Sequence, residues 1–294
     1  MRRRSDLPAY LALRAAAAPL LALPRGAALG TGAALGRLAR QLGLRRAVAD
    51  QTLALAFPEL SRDARDAIGL GMYEHFGRMI VDSLRSGTNG GREVVPLVHA
   101  DREVALLKDL LRRGRGLLAL TGHLGSWEAG IPFLARHGLP VTAVWKPQAN
   151  PWVAGYLDRL RRGLDLEAIA MPDARVAVPA ALRAGRIVAL VADQAPIRGD
   201  IRVPFFGRPT RTFAGPGYFA AQTGAPVVVG AIFSDGDGGY RVAADVLDEA
   251  PRGDPEELVV RIATLYRARL EALIRTAPEQ YLWTHRLWRD ELQP

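Results

Sequence analysis

A histidine and a carboxylate five residues apart have the spacing best suited to acid/base chemistry in this sequence. They are His123 and Glu128, which lie directly after the short apolar run 116–121. An imidazole accepts a proton near neutral pH, and a neighbouring carboxylate fixes its tautomer and stabilises the imidazolium that forms. The pair predicts an acid/base site, and the alternative is a structural histidine that closes a turn.

The spacing of this pair requires a turn rather than one continuous helix. Residues five apart on a helix are separated by about 140° around its axis, so their side chains point to different faces. We expect His123 to lie in a turn that follows a strand, with Gly125 at the bend. Ser126 is then the N-cap of the next helix, and Glu128 lies in its first turn.

Strands and helices alternate around this turn. Apolar runs predict strands at 116–121, 140–145, 166–170, 186–192, 225–233 and 240–247. Helical patterns occur at 63–84, 101–113, 127–137, 150–162, 174–184, 214–223 and 255–276, and loops are predicted at 86–91 and 193–213. This order indicates the α/β class, with a central, mostly parallel sheet flanked by helices.

Further candidate residues follow from this arrangement, because ligands of such sheets bind beyond the carboxyl ends of the strands. Lys146 and Asp193 each follow a predicted strand, so we expect both at the same edge of the sheet as His123. Asp193 capping the next turn is the alternative. Arg159 and Arg161, on the predicted helix 150–162, are candidates for binding phosphate, although most helical arginines are simply exposed.

The first 46 residues differ from the rest of the chain in charge. They contain nine arginines and one aspartate, so they carry +8 of the net charge of +9 of the 294-residue chain. Their apolar run 7–23 is interrupted by Arg14 and by two prolines, and it is shorter than the roughly 20 residues that a spanning helix needs.

We interpret residues 1–46 as a helical arm that lies on an anionic membrane surface, and residues 47–294 as one further domain. A signal peptide and a basic helical hairpin packed on the body are the alternatives. Nucleic acid is a poor partner, because Tyr10 is the only aromatic residue of the arm and base stacking needs aromatic side chains.

Several classes of protein are disfavoured by what the sequence lacks. It contains no cysteine, which excludes disulfides and thiolate metal sites, and none of its five histidines belongs to a His-Glu-x-x-His motif. The segment Gly30-Thr-Gly-Ala-Ala-Leu-Gly36 has the wrong spacing for a dinucleotide-binding loop and no strand before it. We expect it to pack helices closely through its small residues.

Six segments occur in order from the end of the arm to the C-terminal tail. They are Ala54-Leu-Ala-Phe-Pro-Glu59, Gly122-His-Leu-Gly-Ser-Trp-Glu128, Asp193-Gln194, Val203-Pro-Phe-Phe-Gly-Arg-Pro209, Thr223-Gly-Ala-Pro-Val227, and Pro278-Glu-Gln-Tyr-Leu-Trp283 with His285-Arg286. Together they resemble the late acyltransferases of bacterial lipid A biosynthesis, a family that includes the mycobacterial phosphatidylinositol mannoside acyltransferases. One departure is Leu287, which stands where the family usually has an arginine.

The resemblance implies a glycerolipid-acyltransferase-like fold and an enzyme on the cytoplasmic face of the bacterial inner membrane. Such an enzyme transfers a fatty acyl group from acyl carrier protein or coenzyme A to a hydroxyl of a glycolipid, and it needs no other cofactor and no metal. His123 matches the catalytic histidine of the family and Glu128 the acid of its motif. Asp193 matches an acid near the site, and a family arginine falls near Arg159 or Arg161.

The expected mechanism is direct transfer, with His123 as the base and Glu128 holding its ring. Backbone N–H groups near Gly125 and Ser126 are the expected donors to the oxyanion. We expect Lys146 and the arginines to bind phosphates of the acceptor or of the pantetheine arm of the donor. The alternatives are an acceptor that is a phospholipid or a mannoside, a hydrolase, and a membrane lipid-binding protein without catalysis.

Overall fold

The computed structural model describes residues 6–89, 91–93, 98–146, 148–162, 166–194, 196, 201–235 and 238–288. The strands of these residues are Val98–His99 (β1), Leu117–Thr121 (β2), Val141–Trp145 (β3), Glu167–Ala170 (β4), Ile187–Val191 (β5), Ile201–Phe205 (β6), Arg208–Thr212 (β7), Val227–Ser234 (β8) and Tyr240–Asp248 (β9). The α-helices are Leu7–Ala22 (α1), Arg25–Gln41 (α2), Arg46–Ala56 (α3), Arg62–Asn89 (α4), Asp101–Leu111 (α5), Trp127–Arg136 (α6), Pro151–Arg162 (α7), Ala174–Arg183 (α8), Gly215–Thr223 (α9) and Pro255–Thr276 (α10).

The main sheet has the strand order β1-β9-β8-β2-β5-β3-β4. Strand β2 is central, and its Leu118 is in register with Val188 of β5 and with Val227 of β8. The strands from β8 to β4 run parallel to one another, whereas β9 is antiparallel to β8. The predicted α/β class with a mostly parallel sheet is therefore confirmed.

Both faces of this sheet are covered. Leu118 and Leu120 belong to the larger core, together with apolar residues of α8, α9 and α10. Leu117 belongs to the second core, on the side of α5 and α6. This burial on both faces explains why β2 is a continuous apolar run rather than an alternating one.

A β-hairpin occupies the segment where we predicted a loop from 193 to 213. Strands β6 and β7 pair antiparallel, and the turn between them is Phe206-Gly207, with φ values of 51° and 70°. Two positive φ values are typical of a two-residue hairpin turn whose twist matches that of the strands. Pro204 lies inside β6, where it is tolerated because a two-stranded sheet has free edges.

Helix α4 continues through part of the loop predicted at 86–91 and ends at Asn89. Gly87 does not break the helix, because it serves close packing: a Cβ at this position would lie 2.6 Å from Cβ of Leu160 in α7. Tertiary packing here outweighs the turn propensity of the local sequence.

The N-terminal region forms helices α1, α2 and α3. Glycines of α2 pack against α4 as the sequence predicted: a Cβ at Gly36 would lie 2.0 Å from the carbonyl oxygen of Tyr73, and one at Gly77 would lie 2.0 Å from that of Gly32. The domain boundary at residue 46 stays a prediction. Across the described residues, no helix combines the length and the hydropathy needed to span a bilayer.

Arginine side chains also connect the N-terminal helices to α4 by hydrogen bonds. Arg85 of α4 donates hydrogen bonds to the carbonyls of Leu20 and Leu23 at the C-terminal end of α1, at 3.0 and 2.8 Å. Arg25 at the start of α2 donates to both carboxylate oxygens of Asp82, at 3.0 and 2.6 Å. The arm is therefore docked on α4 by polar contacts as well as by close helix packing.

Candidate active site

His123 lies in the turn between β2 and α6, as predicted. Gly125 has a φ of 64°, and a Cβ there would lie 2.0 Å from the carbonyl oxygen of Ile232, so both the backbone conformation and the space require glycine. Ser126 is the N-cap residue of α6, although its side chain makes no capping bond. Glu128 lies in the first turn of that helix.

The carboxylate that is hydrogen-bonded to this imidazole is Asp193, whereas we expected Glu128 in that position. His123 Nδ1 lies 2.8 Å from Asp193 Oδ1, and the backbone N–H of His123 donates to Asp193 Oδ2 at 3.0 Å. Asp193 follows β5, which is the neighbour of β2 in the sheet. Within the described residues, Glu128 makes no hydrogen bond to His123.

The two charges of this pair stabilise each other. Burial alone would lower the pKa of His123, but the Asp193 carboxylate outweighs it and raises the pKa, with a smaller contribution from Glu128. Burial would raise the pKa of Asp193, but the imidazole and the buried Arg267 lower it to about 2. Asp193 is thus a carboxylate at every physiological pH, and it favours a protonated His123.

Hydrogen bonding also determines which nitrogen of His123 is free to act. In the neutral imidazole, with the Nδ1 proton donated to Asp193, Nε2 carries the lone pair. Nε2 lies 3.5 Å from the side-chain nitrogen of Gln194, and the ring packs edge-on against Trp127 with centroids 5.1 Å apart. The side chain of His123 is 23% exposed, so solvent or a ligand can reach it.

Arg267 is a site residue that the sequence analysis missed. It is fully buried, and it donates hydrogen bonds to the backbone carbonyls of Asp193 and Arg211 at 2.9 and 3.1 Å and to Thr212 Oγ1 at 2.9 Å. The available signal was its position in α10, four residues after the buried Ala263 in the apolar stripe of that helix. A charged residue on such a stripe requires buried partners.

A cavity of about 280 Å³ opens beside His123. Its polar or charged lining residues are Thr121, His123, Glu128, Lys146 and Gln194, and most of the remaining lining is apolar. Lys146 is exposed at this cavity. The predicted convergence of His123, Lys146 and Asp193 at one edge of the sheet is consistent with this geometry, and the roles of these residues stay predictions.

A second, apolar cavity of about 130 Å³ lies between α6 and the sheet. It adjoins the first cavity, because Thr121, Trp127, Ile131 and Ala189 line both. Its lining includes small residues, among them Gly130 and Gly230. The site therefore offers a polar space with a base and, next to it, a space suited to hydrocarbon.

Of the two predicted arginines of α7, Arg159 does not line either cavity. Arg159 is exposed and donates to the hydroxyl of Tyr10 in α1 at 3.4 Å. Arg161 belongs to α7, but its side chain lies outside the described residues.

The backbone donors that we expected to bind an oxyanion are already engaged. Gly125 N–H donates to the carbonyl of Gln280 at 2.8 Å, and Ser126 N–H donates to that of Ile232 at 2.6 Å. These bonds join the turn to the tail and to β8, so the N–H groups of Gly125 and Ser126 themselves are not free, and the expectation for the neighbouring N–H groups at the start of α6 stays a prediction. Tertiary hydrogen bonds satisfy the N–H groups of Gly125 and Ser126.

Aromatic residues from the segments 54–59, 203–209 and 278–283 pack together in the hydrophobic core. The rings of Phe57, Phe206 and Trp283 pack edge-to-face, with centroids 5.3 to 5.7 Å apart. Leu282 N–H donates to the carbonyl of His123 at 3.0 Å, so the segment that contains Trp283 also supports the turn.

Comparison with known proteins agrees with this geometry. A family model described as bacterial lipid A biosynthesis acyltransferase matches residues 3–290. The chain belongs to this family.

The sequence identity to individual relatives is below 30% for the two proteins described next. The chain is 27% identical over 269 residues to the lipid A biosynthesis lauroyltransferase of Escherichia coli (strain K12), which covers 87% of this chain and 83% of that protein. It is 29% identical over 179 residues to the phosphatidylinositol mannoside acyltransferase of Mycobacterium tuberculosis, covering 58% of this chain and 55% of that protein. The chain thus spans little more than half the length of the mycobacterial relative.

Proposed function

We propose that this protein transfers a fatty acyl group from a thioester, acyl carrier protein or coenzyme A, to a hydroxyl group of a glycolipid of the lipid A precursor type. The observation that carries the proposal is the hydrogen bond between His123 Nδ1 and Asp193, which leaves Nε2 unprotonated beside a cavity. Membership of the acyltransferase family supports the reaction class.

In the proposed reaction, His123 Nε2 accepts the proton of the acceptor hydroxyl while that oxygen attacks the thioester carbonyl carbon. The carbon–oxygen bond forms as the carbonyl electron pair moves to its oxygen. The tetrahedral intermediate then collapses, the carbon–sulfur bond breaks, and the imidazolium returns its proton to the thiolate. Asp193 stabilises the imidazolium between these steps. General base catalysis of this kind contributes about 10²- to 10⁴-fold.

The proposed position of the acyl chain is the apolar cavity between α6 and the sheet. Burying hydrocarbon there is favourable because it removes apolar surface from water. The cavity adjoins the polar one through Trp127 and Ile131, so a chain lying in it keeps its thioester end near His123. Lys146, which is exposed at the polar cavity, is the proposed ligand of a phosphate of the donor or of the acceptor.

Association with the cytoplasmic face of the bacterial inner membrane is part of the proposal. Leu35 and Leu38 of α2 and Leu42 directly after it form an exposed apolar stripe, whereas Gly32 and Gly36 of the same helix are buried; Leu42 is 69% exposed. Arg45 and Arg46 are exposed directly after this stripe. Apolar side chains next to cations are typical of helices that bind an anionic membrane surface without crossing it.

The test is a transfer assay with purified protein, lauroyl-coenzyme A or lauroyl-acyl carrier protein, and vesicles that contain either a lipid A precursor or phosphatidylinositol mannosides. Mass spectrometry of the lipids identifies the acylated acceptor. We expect His123→Ala to lower transfer at least about 10²-fold while the protein stays folded.

The outcomes separate the candidates. Acylation of the mannosides or of a phospholipid alone would replace the proposed acceptor. Release of free fatty acid without an acylated lipid would indicate a hydrolase. Full activity of His123→Ala, or lipid binding without any transfer by the wild type, would overturn the proposed function.

A further inference from the structure

The proposed transfer needs a hydrogen-bond donor for the developing oxyanion, and the 123–126 turn does not supply one. The N–H groups of His123, Gly125 and Ser126 donate to Asp193, Gln280 and Ile232, respectively. Leu124 is 0% exposed, so its backbone presents no atom to the cavity. A turn that is bonded in this way holds His123 rigidly but leaves the charge on the intermediate without a partner from these residues.

We infer that the side-chain amide of Gln194 is this donor, an inference that rests on the proposed acyl transfer. Its nitrogen lies 3.5 Å from His123 Nε2, and the residue lines the cavity beside the imidazole. Because Nε2 carries the lone pair, the amide N–H faces it while no acceptor is bound. Gln194 therefore occupies the point at which the attacking hydroxyl must enter.

Binding of the acceptor frees this amide. The hydroxyl replaces it as the hydrogen-bond partner of Nε2, and the amide N–H is left within a few ångströms of the carbon under attack. As the new carbon–oxygen bond forms, the carbonyl pair moves onto the oxygen, which accepts a hydrogen bond from Gln194. This hydrogen bond weakens when the carbonyl reforms and the carbon–sulfur bond breaks.

The backbone next to Gln194 is held in place by hydrogen bonds to the preceding residue. The preceding residue, Asp193, is held at its carboxylate by two bonds from His123 and at its carbonyl by Arg267. The Gln194 side chain itself is half-buried. A carboxamide also suits the task chemically, because it donates a hydrogen bond and does not compete with His123 for the proton.

The experiment compares wild type, Gln194→Ala and Gln194→Glu in the lauroyl-coenzyme A assay, measuring kcat and KM from thiol release in the presence of the acceptor lipid identified in that assay. Removal of one oxyanion donor lowers kcat about 10²- to 10³-fold. We expect that loss in Gln194→Ala, with KM for the donor almost unchanged. In Gln194→Glu we expect at least the same loss, and an acid limb of the pH profile moved to higher pH by the added negative charge beside His123.

Gln222→Ala is the matched control, because Gln222 is an exposed glutamine of α9. Melting temperatures measured on each variant identify a folding defect, and Gln194→Glu keeps the side-chain size if Gln194→Ala is unstable. The inference is overturned if folded Gln194→Ala keeps kcat near that of the wild type, or exceeds it, while His123→Ala is inactive. A wild type that transfers no acyl group would overturn the proposed function and this inference together.

Discussion

The guanidinium of Arg267 donates a hydrogen bond of 2.9 Å to the backbone carbonyl of Asp193, so a side chain of α10 holds the residue that orients His123. Its other bonds go to Thr212 Oγ1 and to the carbonyl of Arg211, and it has no exposed surface. A buried cation is tolerated where its donors are satisfied. Arg267 thereby joins α10, the end of β7 and the candidate active site.

We predict that Arg267→Leu lowers the free energy of unfolding by at least about 3 kcal/mol, because three acceptors lose their donor and two of these hydrogen bonds are buried. Urea denaturation measures this loss. Arg269→Leu is the control on the same helix: Arg269 is exposed and its ion pair with Asp245 contributes at most about 1 kcal/mol. Equal effects of the two substitutions would contradict the structural role assigned to Arg267.

We predict that Asp193→Asn lowers kcat/KM far more than Glu128→Gln. An asparagine neither stabilises the imidazolium nor holds the required tautomer, and the comparable change in a Ser-His-Asp triad costs about 10⁴-fold. Glu128 acts on His123 only through its charge, so the loss in Glu128→Gln should be about tenfold or less. Steady-state kinetics of the two purified variants decide the order, and the reverse order would restore Glu128 as the orienting carboxylate.

The pH dependence of kcat/KM should report on His123, which acts as a base only while it is neutral. Because Asp193 raises the pKa of His123 above its ordinary 6.5, activity should fall on the acid side with a midpoint above that value. In Asp193→Asn the burial remains and the charge is lost, so the midpoint of the residual activity should move to lower pH. A midpoint that does not move would show that another group limits the reaction.

We predict that Gly130→Val shifts the preference of the enzyme toward shorter acyl donors. Gly130 lines the apolar cavity, where even a Cβ would lie 2.7 Å from Cδ1 of Ile232. Filling such a space discriminates by roughly 10- to 200-fold per methylene. The measurement is kcat/KM for a series of acyl-coenzyme A donors of increasing length. Gly30→Val is the control, because a Cβ at Gly30 meets nothing within 4 Å.

We predict that Leu38→Glu combined with Leu42→Glu weakens binding to anionic vesicles, because two carboxylates replace exposed apolar side chains at the C-terminal end of α2. Co-sedimentation with phosphatidylglycerol vesicles measures the bound fraction. Val176→Glu is the control, because Val176 is 79% exposed on α8, outside this stripe. Unchanged binding of the double variant would place the membrane contact elsewhere.

Short-range physical chemistry made part of the site predictable. The apolar run before His123, the glycine at 125 and the serine at 126 are signals of a strand, a bend and a helix start, and each acts within a few residues. The alternation of strands and helices likewise indicated the parallel sheet. The hairpin of β6 and β7 escaped prediction, because its turn places the non-glycine Phe206 at a positive φ, which is uncommon for a residue with a side chain, and tertiary contacts hold it there.

By itself, the sequence determined that a histidine lies at the carboxyl end of a buried strand and that more than one acidic residue is a candidate partner for it. It did not determine which acid. Glu128 is five residues away along the chain, yet Asp193, 70 residues away, is the one in contact. That choice depends on β5 lying next to β2, and strand order is decided by how the whole sheet packs its helices. Tertiary hydrogen bonding likewise decided which donors remain free, because the N–H groups of the turn were satisfied by β8 and the tail.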